Sequence, residues 1–245
     1  MSLVYFPDRE IRAIPEWLGV SPRWVFFETQ DGVRLSAWYV PKEGGRGVIL
    51  FFHGNGGNVS HYMQMIVLFS RMGFSSFSLD YRGYGKSAGT PSEKGTYLDA
   101  DAAWQYLVRT LHIPRDSIIV YGRSLGGAIA AWLARAQTPR MLVLDSSFTS
   151  LRDVAGKLYP WAPTRLLVGD RYSTETFLQG VRCPVLVIHS PDDEIVRYDE
   201  GLRLFEHANP PKRFLAIRGH HNSPSYDSLT PDALDAHSWE LPPRR

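Results

Sequence analysis

Ser117-Ile118-Ile119-Val120-Tyr121-Gly122-Arg123-Ser124-Leu125-Gly126-Gly127-Ala128-Ile129-Ala130-Ala131-Trp132-Leu133 is the stretch on which the fold turns. Its first five residues form a short apolar run, the pattern of a strand buried on both faces, and Leu125 to Ala136 is a good helix former. Between them stands Ser124, framed by glycines. Glycine reaches backbone angles closed to other residues, so the chain can leave a strand and enter a helix within a residue or two, with the serine hydroxyl projecting above the sheet. The string Gly-x-Ser-x-Gly is weak evidence by itself in a chain with 21 glycines among 245 residues. A second copy, Gly85-Lys86-Ser87-Ala88-Gly89, shows why. Thr90-Pro91 follows it and forbids an immediate helix, which leaves Ser87 on a loop and Ser124 as the candidate nucleophile.

Outward from this stretch the same signature recurs. Gly47 to Phe52, Ser75 to Leu79, Met141 to Leu144 and Pro184 to Ile188 are further buried-strand runs, and helical patterns occupy Tyr62 to Met72, Thr96 to Leu111 and Leu125 to Ala136. A helix at Tyr198 to His207 and a strand at Arg213 to Ile217 continue the alternation. Toward the N-terminus, Trp24 to Thr29 and Val33 to Val40 flank Gln30-Asp31-Gly32 and predict an antiparallel hairpin. The sum is an α/β chain with a doubly wound, mostly parallel sheet of eight strands. The length of 245 residues suits one domain over 1–245, with a lid-like insertion of modest size at about 148–181.

Composition narrows the function classes. Hydrophobic residues are 44% and charged residues 21%, which fits a globular chain and neither a disordered polymer nor a membrane bundle. The formal charge is +2, with no run of five or six like charges, so no nucleic-acid partner is expected. Met1 to Arg12 carries Asp8, Arg9, Glu10 and Arg12, and no stretch approaches the roughly 18 apolar residues a membrane span needs. Cys183 is the single cysteine, so an intrachain disulfide and a thiolate metal cage are both ruled out. Gly85-Lys86-Ser87 resembles the end of a phosphate-binding loop, but Asp80 stands where the loop's first glycine belongs and no helix follows.

In doubly wound sheets ligands bind beyond the carboxyl ends of the strands. A serine hydroxyl needs a base to take its proton and a carboxylate to orient that base. The strand at Pro184 to Ile188 runs into His189-Ser190-Pro191-Asp192-Asp193-Glu194, and the strand at Arg213 to Ile217 into Arg218-Gly219-His220-His221-Asn222. Asp193 leads as the acid, with Asp192 and Asp145 as rivals, and residue chemistry alone leaves His220 and His221 both open as the base. The other histidines His61, His112, His207 and His237 fall on helices, their ends or the tail, where surface or capping roles are expected. The tetrahedral oxyanion needs donors as well: the backbone N–H of Leu125 follows the nucleophile directly, and the glycine-rich loop His53-Gly54-Asn55-Gly56-Gly57-Asn58 offers a second.

These residues resemble the α/β-hydrolase superfamily, in the group that includes serine aminopeptidase-like hydrolases and depalmitoylating thioesterases. The likeness rests on Tyr5-Phe6-Pro7, Thr29 to Leu35, His53 to Asn58, Asp80 to Ser87 and Gly122 to Gly126, and covers most of the chain. Ser, Asp, His is also that superfamily's triad order. The resemblance implies the α/β-hydrolase fold, with Asp193 as acid, His221 as base, and Asn55 as the second oxyanion amide beside Leu125. It also implies that His53 and the loop from Asp80 to Ser87 are architectural. Relatives often end in an amphipathic helix, against which Pro224, Pro231, Pro242 and Pro243 argue here, and often carry a hydrophobic anchor before the Tyr-Phe-Pro element, near which this chain begins. The chain as given is expected to be soluble, and its localisation stays open: cytoplasmic, or membrane-associated where such an anchor has been removed.

The expected activity is carboxylic-ester hydrolysis through an acyl-enzyme on Ser124, on a small-molecule or acylated substrate, with no metal or organic cofactor. Thioesterase and aminopeptidase activities use the same triad, and a hydrolase-fold binding protein without turnover is the reading from a different class. Leu158, Tyr159, Trp161, Leu166, Leu167 and Phe177 are expected to give the insertion an apolar lining.

Overall fold

Buried apolar strands need helices on their faces, and the computed structural model, which describes residues 5–14, 18–158 and 172–240, supplies them in two compact units, Met1–Tyr121 and Gly122–Arg245. In the first unit, β2 (Arg23–Glu28) and β3 (Arg34–Val40) form the antiparallel hairpin, with Gly32 at φ +76° in its turn. Strand β3 pairs antiparallel with β6 (Ser75–Asp80), which pairs parallel with β4 (Val48–Phe52). Every residue of β4 and β6 is buried: β4 is the apolar run expected of a strand covered on both faces, while β6 also buries Ser75, Ser76, Ser78 and Asp80.

The short segment β1 (Phe6–Pro7) pairs parallel with β5 (Gly56–Gly57) inside the glycine-rich loop. Asn58 then closes the loop: its Oδ1 accepts from the Ser60 amide at 2.9 Å, and its Nδ2 donates to the carbonyls of Asp8 and Glu10 at 3.1 and 2.6 Å. That cap starts a 3-10 turn at Val59–Tyr62 and helix α1 (Met63–Arg71). Helix α2 (Glu93–Gln105) begins three residues before the expected Thr96, because the Ser92 hydroxyl caps it through the Gly95 amide at 3.1 Å. It then widens into π-type turns over Tyr106–Thr110.

Strand β7 (Ile118–Arg123) begins in the first unit and ends in the second, two residues beyond the expected Tyr121. The second unit continues with α3 (Leu125–Gln137), β8 (Met141–Asp145), α4 (Leu151–Leu158), α5 (Thr174–Leu178), β9 (Val185–His189), α6 (Tyr198–His207) and β10 (Lys212–Ala216). Strands β8, β9 and β10 are parallel neighbours in that order. A hairpin of β11 (Arg218–His220) and β12 (Ser223–Ser225) follows, and the proline-bearing tail folds as 3-10 turns at Pro231–Leu234 and Ala236–Glu240 instead of a long helix. The insertion calls at Tyr159, Trp161, Leu166 and Leu167 lie outside the described residues, as does the Leu158 side chain. Phe177 is half-buried under the Arg135 guanidinium, 5.2 Å from its ring centroid.

Candidate active site

Three strand ends of the second unit carry the candidate residues. At the end of β7, Ser124 adopts φ 52°, ψ −119°, a conformation an L-residue holds only where its surroundings over-determine it. Those surroundings are visible. The Ser124 amide donates to the Asp145 carbonyl at 2.9 Å, and its carbonyl accepts from the Gly127 amide and the Ser147 hydroxyl, both at 2.9 Å. A side chain at Gly122 would put Cβ 2.2 Å from the Gly126 carbonyl oxygen, and one at Gly127 would put it 2.2 Å from Ser147 Oγ. Gly122 thus lets strand β7 lie close against helix α3, and Gly127 lets α3 lie close against Ser147 after β8.

At the end of β9, the Asp193 carboxylate divides its work. Oδ1 accepts from the amides of Ile195 and Val196 at 3.0 and 2.7 Å, and Oδ2 lies 2.7 Å from His221 Nδ1. Burial raises the pKa of Asp193, but the hydrogen bond and charge of His221 outweigh it and hold the carboxyl below its ordinary range. An ionised Oδ2 at 2.7 Å can only accept, so Nδ1 carries the proton and, in the neutral ring, Nε2 presents a lone pair. The three acidic residues of this loop each reach the histidine hairpin: Asp192 Oδ2 accepts from the Gly219 amide at 3.4 Å and Glu194 Oε2 from the His221 amide at 3.0 Å. Gly219 sits at φ +93°, where a Cβ would lie 2.5 Å from the Ser223 carbonyl oxygen, so only glycine closes the hairpin that presents His221.

The rivals fall elsewhere. The His220 side chain is 70% exposed and faces Glu194 at 3.3 Å. The Asp145 carboxylate accepts from Tyr226 Oη at 2.6 Å and from Ser146 Oγ at 3.0 Å. Ser124 stands at the elbow of the same unit, and its hydroxyl makes no hydrogen bond to His221 among the described residues. Such contacts are often open without substrate and tighten when it binds.

Residues 47–170 match the family described as the alpha/beta hydrolase fold. The chain belongs to the α/β-hydrolase family. It is 40% identical over 227 residues to protein Rv2307c of Mycobacterium tuberculosis, covering 91% of this chain and 80% of that one. It is 32% identical over 219 residues to the alpha/beta hydrolase domain-containing protein WAV2 of Arabidopsis thaliana, covering 80% and 71%. Among solved structures it is similar in fold to the Pyrococcus furiosus esterase Pf2001, with a TM-score of 0.76 over 97% and 96% of the two chains at 22% identity. The α/β-hydrolase fold, with its mostly parallel sheet of about eight strands, is thus the fold of this chain, and it supports a hydrolase.

In the first unit of this hydrolase, the loop that holds Asn55 is pinned and not free. Tyr84 Oη donates to the Asn55 carbonyl at 2.9 Å and lies 3.0 Å from its Oδ1, while Tyr81 Oη donates to the His53 carbonyl at 2.7 Å. His53 is fully buried, with Nδ1 2.7 Å from the Gly54 carbonyl. Ser87, the rejected serine, is also fully buried: its hydroxyl donates to the Asp80 carbonyl at 2.7 Å and accepts from the Ser36 amide at 2.8 Å. In the second unit His189, Glu194, Arg123 and Tyr226 touch Asp193, His221 or their loops: His189 faces Asp193 only four residues on, whereas Glu194, Arg123 and Tyr226 reach their partners across 27 to 103 residues, where no local pattern marks them. Among the described residues no group of three His, Cys, Asp or Glu side chains is placed to hold a metal, and no helix is long and apolar enough to cross a membrane.

Proposed function

We propose that this chain is a serine hydrolase that cleaves carboxylic esters of small or acylated substrates through an acyl-enzyme on Ser124. The observation that carries the reading is the 2.7 Å contact of Asp193 with His221 in the unit that also holds the strained Ser124 elbow. His221 Nε2 takes the Ser124 proton as Oγ bonds to the acyl carbon, forming a tetrahedral oxyanion. The Leu125 amide, at the first turn of α3, donates to that oxyanion, and the family resemblance assigns the second donor to the Asn55 amide. Collapse of the intermediate breaks the bond to the alcohol oxygen, which leaves with the proton held by His221. Water then attacks the acyl-enzyme with His221 again as base, releasing the acid and restoring Ser124. Asp193 stays ionised throughout and fixes the imidazole tautomer. Each proton and bond of this cycle is handled by the chain's own groups, so the reading calls for no cofactor.

The test is labelling with a fluorophosphonate probe, peptide mapping, and turnover of nitrophenyl esters of increasing chain length beside an acyl-CoA and an aminoacyl nitroanilide. Labelling at Ser124 with ester turnover is expected, and Ser124→Ala should fold normally while losing kcat by roughly 10⁴-fold or more. Preference for the thioester or the anilide would move the substrate class, and a folded protein that neither labels nor turns over would sink the reading.

A further inference from the structure

Arg123, immediately before Ser124, is a buried cation whose guanidinium reaches the backbone of the proposed base. Its Nη2 donates to the His221 carbonyl, 98 residues away in sequence, and its Nη1 to Tyr226 Oη at 3.3 Å. Tyr226 Oη in turn donates to Asp145 Oδ2 at 2.6 Å. Asp145 is fully buried, and its backbone carbonyl receives the Ser124 amide at 2.9 Å. The circuit closes on itself: Ser124 amide to Asp145, Asp145 carboxylate to Tyr226, Tyr226 to Arg123, and Arg123 both to the His221 carbonyl and, through one peptide bond, back to Ser124.

A guanidinium is costly to bury unless its donors are used, so this arrangement is specific to its partners and does not tolerate rearrangement. Its attachment point also matters. By holding the carbonyl of His221, it fixes the loop while leaving Nδ1 to Asp193 and Nε2 to the reaction. The nucleophile elbow and the histidine hairpin come from segments far apart in the chain, and a misplacement of about 1 Å between nucleophile and base costs on the order of 100-fold in rate.

Resting on the ester-hydrolase reading above, we propose that Arg123, Tyr226 and Asp145 form a positioning network that sets the distance between Ser124 and His221. Asp145, a rival for the acid on sequence grounds, acts in this network as an anchor. The network serves acylation and leaves substrate binding alone.

Tyr226→Phe is the sharpest probe, because it keeps the ring and deletes only the hydroxyl that joins Arg123 to Asp145. The burst rate on nitrophenyl acetate is expected to fall about 10- to 100-fold with KM within about threefold of wild type. The low-field proton resonance of His221 Nδ1 should broaden, and exchange of the His221 amide, held by Glu194 in the parent, should speed up. Arg123→Met should do the same more severely, and Arg123→Lys should recover part of the rate. A folded Tyr226→Phe with burst rate within twofold of wild type and unchanged exchange at His221 would overturn the proposal, as would a rate loss matched by an equal rise in KM. If Arg123→Met does not fold, Tyr226→Phe decides. A wild type with no labelling or turnover would refute the ester-hydrolase reading instead, and amide exchange in Tyr226→Phe would still decide whether the network holds the loop.

Discussion

At the scale of single residues, two serines in the same motif divide into opposite roles. Ser124 stands at a strained elbow, whereas Ser87 is buried and satisfies two backbone groups, the Asp80 carbonyl and the Ser36 amide. Ser87→Ala should therefore cost about 1–3 kcal/mol in a urea melt, since it strands buried partners, while kcat/KM on a nitrophenyl ester stays within a few-fold of wild type. A large activity loss at unchanged stability would reverse the assignment of the two serines. Asp193→Asn keeps the shape but replaces the acceptor facing His221 Nδ1, and kcat should fall by roughly 10⁴ while the protein still folds. Ser124 and the order Ser, Asp, His were legible in the chain because each belongs to a local string at a strand end. The choice of His221 over its neighbour was not a matter of residue chemistry. It is the hairpin at Gly219 that turns His220 outward and His221 toward Asp193.

At the scale of elements, the glycines report how closely strand and helix approach. Gly122→Ala would place a methyl 2.2 Å from the Gly126 carbonyl, so β7 and α3 must part, at a cost of about 3 kcal/mol and with disruption of the elbow. Gly56→Ala is the internal control, because its Cβ meets nothing within 4 Å. Its thermal midpoint should stay at the wild-type value, a change of about 0.5 kcal/mol at most. Equal losses in the two variants would mean that backbone entropy and not close packing governs these positions. Strand and helix identities were readable from period and apolarity, while boundaries moved by one to three residues, at α2 because the Ser92 side chain caps it early. The two-residue strands β1 and β5 had no such signal: Phe6–Pro7 and Gly56–Gly57 lack any periodicity of their own and pair only because the chain returns one beside the other.

At the scale of the whole molecule, acidification should remove two stabilising contributions, partly opposed by Asp99, whose carboxyl burial raises to about 6. His189 is fully buried, and burial lowers its pKa below the ordinary histidine value, so the unfolded chain binds its proton first and stability declines as pH drops below about 6.5. Asp31, through its hydrogen bonds to Arg82, and Asp193, where His221 outweighs burial, both sit below the usual carboxylate range. Their contribution is present above about pH 4 and is lost as pH falls further. Urea midpoints measured from pH 3 to 8 should show both stages, with His189→Gln flattening the upper one and Asp31→Asn part of the lower. A profile unchanged from wild type in both variants would remove these groups from the account. The amino-acid sequence by itself determined the α/β alternation, the hairpin, the elbow serine and the acidic and histidine strand ends, because all of these are written in residues adjacent or periodic along the chain. Only the tertiary structure decided that Tyr226 meets Asp145, that Glu194 holds the His221 amide, and that Arg123 reaches both Tyr226 and the His221 carbonyl. Those contacts join residues some 27 to 103 positions apart, for which no local pattern exists until the strands have brought their ends together.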